Sequence, residues 1–321
     1  MQRAGRAGRV GPGKCFRLYT SWAFENELEQ NSVPEIQRTN LGNVILLLKT
    51  LGVDNILNFD FMDAPSPVSL AKALEMLYAL GALNEKGDLT KLGRKMAEFP
   101  LDPMLSKMLI ASEKYKCSEE IASICAMLSV QNSIFYRPKD KRIHADKARK
   151  SFNVPGGDHL ALLGVWNQWV ENNYSAQWCF ENFIQSKSMK RAKDVREQLL
   201  GLLDRVEIPL ESCDDSVVIR KCIISGYFYH AAVLQRTGDS YRSIKSKQTV
   251  YIHPSSSLFK ENPSKYVVYH ELVHTSKEYM RQIIEIDPSW LLAVAPHYYS
   301  NEDVDTEKKL KNKGRSFMDH K

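Results

Sequence analysis

Three arginines open the chain at every third position, in the string Gln2-Arg3-Ala4-Gly5-Arg6-Ala7-Gly8-Arg9. These residue types suit phosphate chemistry. A guanidinium is planar, permanently charged and grips phosphoryl oxygens in bidentate fashion, so it can neutralise charge that builds on a γ-phosphate during transfer. Gly5 and Gly8 let the backbone approach closely and turn sharply. The plain alternative is an Arg/Gly arm that meets RNA through charge alone. Residues 13–20, Gly-Lys-Cys-Phe-Arg-Leu-Tyr-Thr, read as a short strand behind the arginines.

Two other strings resemble active sites and fail on geometry. His270-Glu271-Leu272-Val273-His274 fits the zinc-protease pattern HExxH, which needs both histidines on one helical face and a third ligand. The preceding Tyr266-Val267-Val268-Tyr269 favours a strand. In a strand, residues four apart lie about 13 Å apart and cannot share an ion, so no metal is expected. Residues 8–15 nearly fit a phosphate-binding loop, but Cys15 stands where the Mg²⁺-holding Ser/Thr belongs and a strand is expected where a helix must begin.

A second set of residues suits RNA. Read as one strand, residues 241–252 place Tyr241, Ser243, Lys245, Lys247, Thr249 and Tyr251 on one face, where lysines follow a backbone and aromatics stack on bases. His253 and Ser255 at one strand end, and Thr275 and Lys277 at another, offer hydroxyls and cations to phosphate; simple turn capping is the competing reading. Arg137, Lys139 and His159 are the candidates on the helical part of the chain, against the plain reading of residues 137–142 as a solvated charged loop.

The elements that must position these groups can be read in outline. With 321 residues, 43% hydrophobic and 26% charged, the chain can bury a sizeable core in two or three domains. Its net charge is +6, of which residues 1–20 hold +5, so nucleic-acid contact should be a focused groove. The six cysteines are scattered without a Cys-x-x-Cys, as in reduced core positions of a cytosolic or nuclear protein. No apolar run approaches membrane-spanning length and no signal-peptide pattern opens the chain.

A helix is expected from Val33-Pro34-Glu35, with Leu41, Val44, Ile45 and Leu48 on one stripe and Gly52 as its stop. Another should start at Ser66-Pro67, and Asn84-Glu85-Lys86-Gly87 should form a tight turn. Helices and a small turn suggest a winged helix over 34–100. Asp102-Pro103 and Ser118 should cap further helices, and Met189, Ala192, Val195, Leu199, Leu202 and Val206 give the clearest amphipathic stripe. Residues 101–212 thus read as a helical bundle. A helix over 219–233 should then yield to strands at 241–252, 265–275 and 280–286, a small barrel of OB-fold type within 213–299, closed by a short helix at 290–295. Residues 300–321 read as a disordered charged tail. The fold class is multidomain, mainly α with a small β-barrel.

Together the opening motif, Val33-Pro34-Glu35-Ile36-Gln37-Arg38, Tyr78-Ala79-Leu80-Gly81-Ala82-Leu83, Gly157-Asp158-His159-Leu160, Ile252-His253-Pro254-Ser255-Ser256 and Tyr269-His270-Glu271-Leu272-Val273 resemble the C-terminal region of DEAH-box RNA helicases. The resemblance runs from residue 2 to about 299. Residues 132–141 look like its pre-mRNA-splicing branch, and Tyr227-Phe228-Tyr229-His230 with Ala295-Pro296-His297-Tyr298-Tyr299 look closest to the member that remodels the spliceosome before the first splicing step. It implies that residues 1–33 are the tail of a second RecA-like ATPase domain, with Arg6 and Arg9, beside Gln2, as γ-phosphate contacts. It implies a winged helix, a ratchet bundle and an OB-fold that hold single-stranded pre-mRNA while the motor moves along it 3′-to-5′. It also implies ATP and Mg²⁺ in the longer parent but no tight cofactor on this chain, which alone should hydrolyse no ATP. Spliceosomal proteins and a G-patch co-activator would be its partners, the nucleus its location. The alternative is a non-enzymatic RNA- or protein-binding module lacking a motor; a metalloprotease is the third.

Overall fold

The computed structural model describes residues 2–29, 31–130, 134–259 and 263–304. It has two compact units, Met1–Asn40 with Asp60–Ser66, and Leu41–Phe59 with Pro67–Lys321.

In the first unit the opening motif supplies α1 (Gln2–Arg6), and α2 spans Ser21–Asn26. Thr20 caps α2 by accepting the Ala23 N–H at 3.1 Å. The strand expected at residues 13–20 is absent. A strand is held by a neighbour that takes up its backbone donors and acceptors. No such pairing occurs there among the described residues, and Phe16 and Leu18 are exposed. The helix expected from Pro34 is one 3-10 turn, Glu35–Gln37. The Gln37 side chain donates to Ala64 O at 3.1 Å and joins the two stretches of this unit.

The second unit begins with α3 (Gly42–Thr50), α4 (Pro67–Ala79) and α5 (Lys91–Ala97). Leu41, Ile45, Leu46, Leu70, Met76, Leu77 and Met96 are buried together on the helical spacing. Leu46 replaces the expected Val44 and Leu48, which are only half-buried. Asn84 shapes the turn between α4 and α5: its side-chain oxygen accepts the N–H groups of Lys86 and Asp88, both at 2.9 Å. Gly87 there has φ +78°, a region other residues rarely enter. The wing that follows is one antiparallel bridge, Leu83 to Leu89.

The bundle comprises α6 (Pro103–Tyr115), α7 (Ser118–Ser129), α8 (Arg142–Ser151), α9 (Asp158–Glu171), α10 (Ala176–Glu181) and α11 (Ser186–Arg205). Met127, Val165, Trp166, Trp169, Met189 and Ala192 form its core. A fully buried Met or Val here contributes on the order of 1.5–3 kcal/mol by leaving water. Of the amphipathic stripe of α11, Met189, Ala192 and Leu199 are buried together with Leu203, while Val195, Leu202 and Val206 are only half-buried. Ser118 does not cap α7; Cys117 occupies that position, and the Ser118 hydroxyl instead donates to Pro209 O at 2.7 Å and accepts Glu211 N–H at 2.8 Å. That fastens α7 to the segment leaving α11.

The helix expected over 219–233 ends early. α12 spans Ser216–Tyr227, and after a 3-10 turn the chain enters β1 (Ala231–Leu234). Then come β2 (Tyr241–Ser243), β3 (Thr249–Ile252), β4 (Tyr266–His274) and β5 (Glu278–Glu285). They close as a barrel in the order β1-β2-β3-β5-β4, with β3 and β5 parallel. A five-stranded barrel of this kind is the OB architecture. α13 (Pro288–Val294) and α14 (Asn301–Val304) follow. The tail is thus ordered at its start: Val304 O accepts the Tyr266 hydroxyl at 2.5 Å. The rest of the expected disorder, residues 305–321, lies outside the described residues.

Candidate nucleic-acid interface

Where the bundle meets the barrel, a cavity of about 270 Å³ opens between α8, α9, β5 and the loop after β3. Its construction starts at Gly157, which precedes α9 with φ +117°. A Cβ there would lie 2.2 Å from Ile283 O, so only glycine lets the backbone of this turn touch β5. A bridge from Gly157 to Ile284 and a bond from Glu285 N–H to Gly156 O at 3.1 Å seal the contact.

This contact places Asp158, the first residue of α9, against the barrel. Its carboxylate accepts from Ser256 Oγ, Ser257 N–H and Ser257 Oγ, each at 2.7 Å, and from Ile283 N–H at 2.8 Å. Four donors on one carboxylate lock the 253–257 loop to α9 and fill its acceptor sites. The Ser256 and Ser257 hydroxyls, next to the candidate Ser255, are thus committed internally.

Two guanidiniums face the same cavity. Arg149, from α8, donates to Ser255 O at 2.8 Å and lies 4.8 Å from the centre of the Phe135 ring. Burial lowers its pKa; Asp158 and Asp146 act against that and Arg281 adds to it. Arg281, from β5, stands opposite Glu271 in the ladder, 3.8 Å from its carboxylate, and its Nε is buried without a partner among the described residues. His253 completes the group. Its Nδ1 accepts Ser255 N–H at 3.1 Å, which leaves the ring proton on Nε2. Burial, then Arg281 and Arg149, lower its pKa and keep it neutral at pH 7. The lining is therefore two cations and a neutral imidazole around a carboxylate already satisfied: a setting for an anion with an apolar portion, which Phe135, Phe152 and Leu162 would meet.

The sequence candidates scatter around this centre. His253 and Ser255 line it. His159 does not reach any surface: it is 1% exposed, neither ring nitrogen has a partner among the described residues, and burial drops its pKa to about 3. Two residues after Gly157, it points into the packed side of α9, where Tyr227 and His270 flank it. Arg137 forms a two-pronged ion pair with Asp146, at 2.7 and 2.6 Å, and Lys139 is exposed beside it.

The single face of residues 241–252 does not exist, because the stretch is a hairpin. Lys247 turns it at φ +58°, so alternation stops at Ser243 and restarts at Thr249. Tyr241 and Ser243 point into the barrel. Lys245 pairs with Asp303 at 2.7 Å, over the rings of Tyr298 and Tyr299. Lys247 donates to Ile244 O. Lys277 lies 4.1 Å from the centre of the Tyr251 ring, and Thr275 N–H closes its turn on Lys277 O at 3.1 Å. Lys277 and Tyr251 form a smaller cation-and-aromatic pair. Arg6 and Arg9 are exposed in the first unit; nothing is described of the Gln2 side chain. The HExxH string lies in β4, as its residue types require.

Arg149, Asp158 and Arg281 were not singled out from sequence. Asp158 carried a usable signal, an acid entering a helix after Gly156-Gly157. Arg149 follows Ala145 by four residues and so shares the buried stripe of a basic helix. Arg281 offered none, because its place depends on the strand register.

Comparison with known families agrees with this layout. Residues 73–101 match the helicase associated domain (HA2), winged-helix; residues 102–162 match the helicase associated domain (HA2), ratchet-like. Residues 219–298 match the oligonucleotide/oligosaccharide-binding (OB)-fold domain. All three are helicase C-terminal modules, and the cavity lies where the ratchet-like domain meets the OB-fold.

Proposed function

We propose that this chain, which carries the winged-helix, ratchet-like and OB-fold domains of a DEAH/RHA-type helicase C-terminal region, grips single-stranded RNA for an ATP-driven motor. The observation that carries the reading is the convergence of Arg149, Arg281 and His253 on one cavity between the ratchet-like helices and the barrel. A phosphate would take the guanidiniums; a base would take the apolar wall. The Asp158 clamp keeps both sides of the grip in fixed register.

In the same reading, Arg6 and Arg9 are the arginine fingers of the parent enzyme, with Gln2 beside them. ATP and Mg²⁺ are its cofactors, pre-mRNA in the spliceosome its substrate and a G-patch protein its co-activator. It works in the nucleus and moves 3′-to-5′. The support for these finer points is the resemblance of the motif strings.

The test is affinity of the full chain for oligouridylate. Changing Arg149 and Arg281 together to Ala should weaken binding on the order of tenfold or more at low salt and flatten its salt dependence. Unchanged affinity would refute the cavity as the grip.

A further inference from the structure

The charge of this chain has a second focus, which the structure exposes on α8. Residues 137–150 hold seven Lys or Arg against two acids, a net +5. With +5 in residues 1–20 and +6 overall, the remainder is −4, so two short segments carry the entire positive excess. Of the seven cations, Arg137 is consumed by Asp146, and Arg149 turns into the cavity. Lys139, Lys141, Arg142, Lys147 and Lys150 are all exposed and in no salt bridge among the described residues.

Their arrangement follows from the helix. Ala145 is the one fully buried residue of α8, with Ala148 and Arg149 half-buried beside it. Ile143, Lys147 and Lys150, spaced four and three apart, form the opposite stripe. Ile143 on that stripe is 82% exposed. In water the exposed Ile143 gains nothing, and of the cations on this face only Lys150, in the last turn, stabilises the helix through its dipole. Both suit a strand of nucleic acid, whose phosphates meet the lysines and whose bases or sugars meet the isoleucine.

We infer that the outer face of α8 is a second RNA-binding track, continuous with the cavity through Arg149, and that it takes the phosphate backbone of the strand as it leaves the grip. The inference rests on the proposed RNA-binding role of this region. It concerns separate residues, so the two can fail separately. The ten residues of α8 cover about 15 Å, room for two or three phosphates of an extended strand. Neutralising three phosphates of a single strand adds about 2 to the slope of log affinity against log salt.

The experiment compares a hexauridylate with an oligouridylate about 20 nucleotides long, on the full chain with Arg142, Lys147 and Lys150 changed together to Glu. A control carries Lys72→Glu, Lys86→Glu and Lys91→Glu, exposed positions on the winged helix that change the net charge equally. The α8 variant should bind the long RNA on the order of tenfold more weakly, with a salt slope shallower by about 2, and the short RNA within about twofold of the parent. The control should match the parent. Unchanged affinity for the long RNA overturns the track, and so does equal loss in the control or equal loss on both RNAs. Loss of binding to an acidic polypeptide with RNA affinity intact overturns it too, and assigns the face to protein. If Arg149→Ala with Arg281→Ala leaves RNA binding intact while the α8 variant loses the long RNA, the cavity reading fails and the track stands.

Discussion

Three histidines gather where α9 and β4 meet, His159 fully buried and His230 and His270 half-buried, and acid should open that junction. His159, His230 and His270 surround Tyr227, with ring centres 6.5, 6.0 and 5.2 Å from it. Burial lowers their pKa values to about 3, about 4 and about 3. His230 places Nδ1 3.2 and 3.1 Å from the carbonyls of Tyr269 and His270, while His159 has no partner for either nitrogen among the described residues. In the unfolded chain each takes its proton near pH 6.5; in the folded chain each stays neutral until about two and a half to three and a half pH units lower. The unfolded state therefore binds more protons below pH 6.5, and stability falls as pH falls. At pH 5.5 each histidine costs a little over 1 kcal/mol, about 4 kcal/mol for the three. That is a large part of the ~5–15 kcal/mol that holds a typical domain. Carboxylates held low do not share this window: burial raises Asp303, but hydrogen bonds from Lys245 and Ser300 outweigh it and keep it at about 2.

The assay is denaturant unfolding of the full chain at pH 7.5 and at steps down to 5.5. The free energy should drop with a slope near three protons per unfolding event at the acid end. His159→Leu should remove about one proton from that slope. A stability that stays flat over this range, or a slope unchanged in the His159 variant, would refute the acid-opened junction.

Gly157→Ala should destabilise by about 2–4 kcal/mol, read as a lowered unfolding midpoint, because the new Cβ meets Ile283 O in a backbone region hostile to side chains. Asp158→Asn should cost about 2–4 kcal/mol and weaken RNA binding, since an amide cannot accept from all four donors that the carboxylate now satisfies. Wild-type thermal stability in that variant would show the clamp to be incidental. Lys245→Ala should leave RNA affinity within about twofold and stability within about 1 kcal/mol, because its charge already faces Asp303 at the surface. A large loss of RNA binding would restore Lys245 as a contact.

Much of the architecture is local in origin and was legible. The stripe on α11, the Asn84–Gly87 turn and the strand character of β4 follow from spacing and residue type alone. The errors share one cause. Residues 13–20 read as a strand by residue type yet pair with no neighbour among the described residues, and 241–252 alternates through a hairpin turn that Lys247 makes at positive φ. His159 looked like a polar contact because sequence cannot show that Tyr227 and His270 close over it.

The chain's own residues dictated the helices, the order of its domains and the chemistry of its arginines, since periodicity and side-chain type act over a few residues. Which arginines meet was decided by folding. Arg149 and Arg281 are 132 positions apart, and only the contact of Gly157 with β5 brings helix and barrel close enough for both to line one cavity. Charge patterns along a chain fix what a group can bind; the packing of backbone on backbone fixes where it does so.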